Sequence, residues 1–290
     1  MQDFVILTDS SADLSQAMVQ ELGVEVLPLT FMMEGASYRN YPDNREIDPH
    51  AFYDKLRAGV VATTAAVNVG EFTEAAEPFL KQGRDVLILA FSSGLSVTYN
   101  SARLAAEDLT EQYPDRKIYA VDTLCASLGQ GLLVYYAVQQ QKAGKSIDEV
   151  RDWVEANKLH LCHWFTVDDL MFLKRGGRVS AATALLGTML SIKPVMHVDN
   201  EGHLINMAKA RGRKASLKAL VDHMEQTAID PGQQVVFISH GDCPEDAQAV
   251  ADDVKARFGV KTTVINYVGP VIGAHSGPGT VALFFLGTER

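Results

Sequence analysis

The chain has 290 residues, 47% of them hydrophobic and 21% charged, which suffices for a large core and, at this length, for two domains. A net charge of −10 argues against nucleic acid or an anionic membrane surface as partner, because both need a basic face. No apolar run reaches the roughly 20 residues of a spanning helix, and Met1–Leu7 enters a strand-like run without a basic leader, so a cytoplasmic protein is expected.

Phe4–Thr8 predicts a first strand, followed by Asp9-Ser10-Ser11-Ala12-Asp13-Leu14 and a helix capped by Ser11 or Asp13 that stops at Gly23. Val24–Phe31 reads as a second strand, where Pro28 is tolerable only near an edge or bulge. Asp48 and Pro49 open a short helix to Leu56. Ala62-Thr63-Thr64-Ala65-Ala66-Val67-Asn68 then sets two adjacent hydroxyls in a loop ahead of a helix over Gly70–Leu80.

The most informative stretch follows. The apolar strand Val86–Phe91 empties through Ser92-Ser93-Gly94-Leu95-Ser96-Val97-Thr98 into a helix over Tyr99–Leu109. Unpaired N–H groups of a first helical turn, the helix dipole and flanking hydroxyls together suit an anion. The turn has no P-loop lysine, no GxGxxG and no serine centred between glycines, so it suits holding an anion better than reacting with one. An ordinary helix cap would use the same residue types.

A strand over Lys117–Val121, a long helix over Ser127–Lys142 ending at Gly144 and a helix over Ile147–Asn157 continue the alternation. Such alternation implies a largely parallel sheet covered on both faces. The pattern changes near residues 157–160, which divides the chain into an N-terminal α/β domain, 1–158, and a C-terminal one, 159–290. His160–Phe165 alternates as a strand. Pro194–Val198 and His203–Ala208, joined by Asp199-Asn200-Glu201-Gly202, read as an antiparallel hairpin. Helices over Lys214–Thr227 and Pro244–Phe258 and strands over Val235–Ser239, Lys261–Tyr267 and Thr280–Phe285 complete a mixed or antiparallel sheet with helices.

Cys125, Cys162 and Cys243 are odd in number and far apart, which suits reduced thiols, and they make no metal-ligand spacing with the histidines. No metal or cofactor is expected. His275 lies in the Gly/Pro-rich loop Gly273–Gly279, placed either to meet a carboxylate or simply to satisfy a backbone carbonyl. Lys174-Arg175-Gly176-Gly177-Arg178 forms a compact basic loop, and Lys209, Arg211, Arg213 and Lys214 form a second basic cluster. In an acidic chain such clusters suit docking of an anionic ligand or partner.

In this order, Asp9–Leu14, Phe52–Leu56, Thr63-Thr64 with Gly70-Glu71-Phe72, Ser92–Tyr99, Val121-Asp122-Thr123, Leu173–Ser180 and His275–Gly279 resemble the DegV family over essentially the whole chain. The resemblance implies two α/β domains holding a long-chain fatty acid between them. It further implies an acyl-binding subunit, not itself an enzyme, which offers the carboxylate to a separate ATP-dependent fatty acid kinase for conversion to acyl phosphate. The family's carboxylate-binding groups fall on Thr64, Ser93 and His275, and its kinase-encounter arginines on Arg178 and Arg211. The chain departs from the family at Ala65-Ala66-Val67-Asn68-Val69, at Val97, and at Asn40 after Arg39. Buried methylenes worth about 0.8 kcal/mol each would supply most of the affinity. The apolar faces of Ala184–Leu190, with Ile192, Phe284 and Phe285, would line the tunnel or serve as plain core. The rival readings are a hydrolase of acyl esters using Ser93 with His275, and a lipid-independent regulatory module.

Overall fold

The computed structural model describes residues 3–180 and 191–290. Among the described residues it is an α/β fold with three sheets. Strands β1 (Phe4–Asp9), β2 (Glu25–Leu27), β6 (Asp85–Ala90) and β7 (Ile118–Asp122) form a parallel sheet in the order β2-β1-β6-β7. A six-stranded sheet has the order β10-β9-β8-β13-β11-β12, built from β8 (Leu161–Thr166), β9 (Ile192–Val198), β10 (Leu204–Arg211), β11 (Val235–His240), β12 (Thr262–Tyr267) and β13 (Val281–Leu286). Only β11 and β12 pair in parallel there; the remaining pairs are antiparallel. The hairpin β9–β10 carries a bulge at Met207.

The third sheet, β4-β3-β5, comes from β3 (Thr30–Met33), β4 (Ala36–Arg39) and β5 (Ala62–Ala65) and was not expected from the sequence. The single strand read over Val24–Phe31 is in fact two. Pro28, without an N–H, ends β2 in the parallel sheet, and the chain resumes as β3 in the small one. Thr63 and Thr64 are therefore on a strand, and the pleat turns Thr63 outward and Thr64 inward.

The first helix also starts later than expected. Asp9 caps a 3-10 turn over Ser10–Ala12 by accepting from Ser11 N–H, and the α-helix Gln16–Leu22 is capped by Ser15. Asp13 does not cap that helix: it closes the 3-10 turn, its N–H donating to the Ser10 carbonyl, and sits buried in the left-handed region at φ 50°.

β6 shows why the parallel sheet is covered twice. Val86, Ile88 and Ala90 face a core with Phe72 and Ala102, whereas Leu87 and Leu89 face the helix Leu128–Lys142. That helix is buried along most of its length because its other side meets the large sheet at Phe165, Phe237 and Phe284. One continuous core thus joins the two sheets. Gly129 permits the approach: a Cβ there would lie 2.2 Å from His163 Nε2. In the parallel sheet the chain runs left from β1 and right from β6, and a crevice opens at the carboxyl ends of strands at such a switch point.

Candidate functional site

A cavity of about 470 Å³ opens at that crevice, between the turn after β6, the end of β5, the helix Pro270–Ser276 and the inner face of the large sheet. Its size is in the range of small-molecule sites. Most of its wall is apolar, with Leu29, Phe91, Phe165, Leu173, Ile272 and Phe284 among the lining residues.

Thr64, Ser93, Arg178 and His275 all line this one cavity, although they come from β5, a loop, the segment after the helix Leu170–Arg175, and the helix Pro270–Ser276. Thr64 Oγ1 is hydrogen-bonded to His275 Nε2 at 2.8 Å. Burial, with Arg178 nearby, pushes the His275 imidazole down to about 4, so it is neutral at pH 7. The Nδ1 edge packs on Gly176, where a Cβ would lie 2.1 Å away. Gly176 therefore fixes where the ring can stand. His275 is on a helix, not in the expected loop, with Pro270 in its first turn and Gly277 past its end at φ 77°.

Ser93 is exposed at the turn between β6 and the helix Thr98–Gln112. Its N–H donates to Asp122 Oδ1 at 3.1 Å, and Leu124 N–H shares the same oxygen. At the base of the turn, buried Asp9 accepts from Phe91 N–H at 2.8 Å. On the other side, Ser92 Oγ donates to the Gly202 carbonyl at 2.9 Å. The N-cap position of the following helix is Val97, whose side chain makes no cap; Ser96 Oγ instead accepts from Thr98 N–H at 3.2 Å, so it is Ser96 and not Ser93 that serves the helix start.

Arg178 is half-buried, and its Nε and Nη2 both donate to the Leu95 carbonyl at 3.2 and 3.0 Å. The guanidinium thus pins the Ser-rich turn and adds positive charge to the wall. The sequence reading separates Arg178 from ligand affinity; the geometry places it in the wall of the cavity. Arg211 lies apart, exposed at the end of edge strand β10 and not among the lining residues.

Ala65, Ala66 and Val97, where the chain departs from the expected motif, line the cavity, and Val97 is 67% exposed beside it. Phe284 lines it too, but Phe285, one residue on, points into a separate core with Trp164 and Leu220. Ile192 is not among the lining residues, and Ala184–Leu190 lie outside the described ones. Asp13, Asp122, Ser127 and Ser239 were not recognised as site residues from sequence. Only the Ser-turn itself carries a local signal, and Asp122 is reached from it.

On the surface between the halves, Asp242 receives Arg57 and, at 2.9 Å, His50 Nδ1. With Asp54, these side chains could gather a cation, but the Arg57 guanidinium already occupies Asp242.

The arrangement is that of an α/β protein with an interior apolar cavity and hydroxyl, imidazole and guanidinium groups gathered in its wall, able to hold an amphipathic molecule with an anionic head. The chain belongs to the DegV family: the family model described as "Uncharacterised protein, DegV family" matches residues 3–288. A DegV domain-containing protein of Clostridium perfringens is 52% identical over 290 residues, covering 100% of this chain and 99% of the relative. Among solved structures, a DegV lipid-binding protein of Thermotoga maritima superposes with a TM-score of 0.87 at 29% identity, covering 99% of each chain. A DegV family protein of Thermus thermophilus, described for fatty acid binding, does so with a TM-score of 0.86 at 32% identity, covering 98% of this chain and 99% of the other. No helix among the described residues is long and apolar enough to cross a membrane.

Proposed function

We propose that this chain binds one long-chain fatty acid between domains 1–158 and 159–290, with the carboxylate at Thr64, Ser93 and His275. The observation that carries this reading is the Thr64–His275 hydrogen bond in the wall of a largely apolar cavity that Ser93 and Arg178 also line. With the neutral imidazole donating Nε2–H to Thr64 Oγ1, the Thr64 and Ser93 hydroxyls are free to donate to a carboxylate, and Arg178 offsets its charge. The alkyl chain supplies affinity by leaving water, at about 0.8 kcal/mol per methylene. The lipid binding named for the Thermotoga maritima relative and the fatty acid binding named for the Thermus thermophilus relative support this reading.

In this reading the protein is a cytoplasmic carrier subunit without a cofactor of its own. It presents the carboxylate to a separate ATP-dependent kinase that forms the acyl phosphate, and Arg211, exposed on an edge strand, meets that partner. A hydrolytic role is less well supported: His275 Nε2 is engaged by Thr64 rather than Ser93, and its Nδ1 packs on Gly176 instead of a carboxylate. Denaturing extraction and mass spectrometry of the purified protein test the reading. One fatty acid per chain is expected; delipidated protein that binds neither palmitate nor oleate would overturn it.

A further inference from the structure

The cavity holds a second polar group, away from Thr64 and His275. Ser127 precedes the helix Leu128–Lys142 with φ 53°, a conformation that a residue with a side chain rarely adopts. Its Oγ is 2.5 Å from Asp13 Oδ2 and 2.9 Å from Ser239 Oγ, and both serines line the cavity. The other Asp13 oxygen accepts Gly269 N–H at 3.0 Å. Gly269 caps the start of the helix whose last turn carries His275. Six residues at about 1.5 Å each place this group roughly 9 Å along that helix from the carboxylate end.

With Asp13 ionised, counting protons sets its polarity. Ser127 has one proton, and the ionised Asp13 carboxylate takes it at the shorter contact. The Ser127–Ser239 bond must then use the Ser239 proton. Ser239 is left fully buried with lone pairs only, beside Ala282, which cannot donate to it. Ser276 Oγ, also in a buried residue of the lining, has no partner among the described residues. A plain alkyl chain leaves the Ser239 lone pairs unused and gives Ser276 no partner, and a buried hydroxyl without a partner is costly.

We propose that Ser239, held by Ser127 and Asp13, is a specificity-determining residue for long-chain acids that carry a hydroxyl part-way along the chain, whose O–H donates to Ser239 Oγ. This rests on the fatty-acid reading above. An oxo group at the same carbon cannot donate and would meet lone pairs, so the site separates hydroxy from oxo acids. Replacing Asp13 by asparagine reverses the relay. The amide N–H₂ donates to Ser127, Ser127 to Ser239, and the Ser239 proton becomes free to meet a carbonyl.

The groups facing Asp13 are Asp9, Tyr53, Ser127 and the Gly269 N–H; burial raises Asp13 to about 7, so the assay is run at pH 8, where it is ionised. Dissociation constants are measured for stearate and for a positional set of mid-chain hydroxystearates and matching oxostearates. The wild-type protein should prefer one hydroxy acid over its oxo partner by roughly tenfold. Ser239→Ala should bring that ratio near one, and Asp13→Asn should turn it toward the oxo acid. Equal binding of every hydroxy and oxo pair by the wild type, or a Ser239→Ala effect that weakens all ligands alike, would overturn the proposal. Failure of stearate itself to bind would instead overturn the fatty-acid reading, and this proposal with it.

Discussion

Thr64 Oγ1 and His275 Nε2 meet at 2.8 Å across 211 residues of chain, joining the small antiparallel sheet to the helix that precedes β13. The contact orients a neutral imidazole toward a hydroxyl in the cavity wall. Each neighbour that holds either group in place then becomes testable.

Gly176→Ala isolates the support of His275. Gly176 has φ −73°, which alanine adopts freely, so its backbone is unstrained. The new Cβ would press on Nδ1 at 2.1 Å and drive the ring from Thr64. Fatty acid affinity should fall by roughly 1–3 kcal/mol, as for a lost hydrogen bond to a charged group, with little change in Tm. Calorimetric titration beside a thermal melt checks both.

His275 should titrate near 4 in the ligand-free protein, against about 6.5 for a free imidazole. Between those values the unfolded chain binds the extra proton, so His275 makes stability fall as pH drops from about 6.5 toward 4. His275→Gln should flatten that slope. Bound carboxylate should move the folded value up, because the anion favours imidazolium. Proton-detected titration of the imidazole, with and without fatty acid, reads both effects.

The two arginines should separate. Arg178→Ala releases the Leu95 carbonyl and removes the wall charge, so fatty acid affinity should weaken several-fold. Arg211→Ala touches none of the lining and should leave affinity unchanged while slowing acyl phosphate formation with a cognate kinase. Equal effects of both variants on lipid affinity would contradict this division.

Arg57 and His50 tie the N-terminal half to Asp242. Burial raises the Asp242 carboxyl, but the hydrogen bonds from Arg57 and His50 outweigh it and hold it below its ordinary value. Arg57→Ala should cost roughly 0.2–1 kcal/mol, since the pair is partly solvent-screened. The hydrogen bond that His50 donates to Asp242 raises the His50 imidazole, so its contribution is full below about 6.5 and fades as pH rises through the folded value. Urea melts at pH 6 and pH 8 should differ less in His50→Gln than in the wild type.

Elements with local signals were legible in the sequence. Pro244–Phe258 was readable to the residue from its leading proline and closing glycine, and the helix read over Pro49–Leu56 from its Asp-Pro start runs one residue further, to Arg57. The helix of His275 has the same Pro and Gly signals, but seven residues are too few to show a period, so the segment read as a loop. β5 was missed because Ala62–Ala65 is short and gains its strand character from pairing with β3, whose residues lie well before it in the chain. The Asp13–Ser127–Ser239 relay was out of reach for the same reason: its members are over 100 residues apart, and only folding brings them together. Thr64, Ser93 and His275 were named through family resemblance; their residue types alone left a cap, a loop hydroxyl and a satisfied histidine as open alternatives.

The central claim is that the fatty acid carboxylate sits at Thr64, Ser93 and His275 with its chain in the apolar cavity. A crystal structure of the delipidated protein soaked with oleate measures this directly. The account predicts carboxylate oxygens within about 3.2 Å of Thr64 Oγ1, Ser93 Oγ or His275 Nε2, and the alkyl chain running past Ile272 toward Phe284. A carboxylate seated elsewhere, or an alkyl chain outside this cavity, would contradict it.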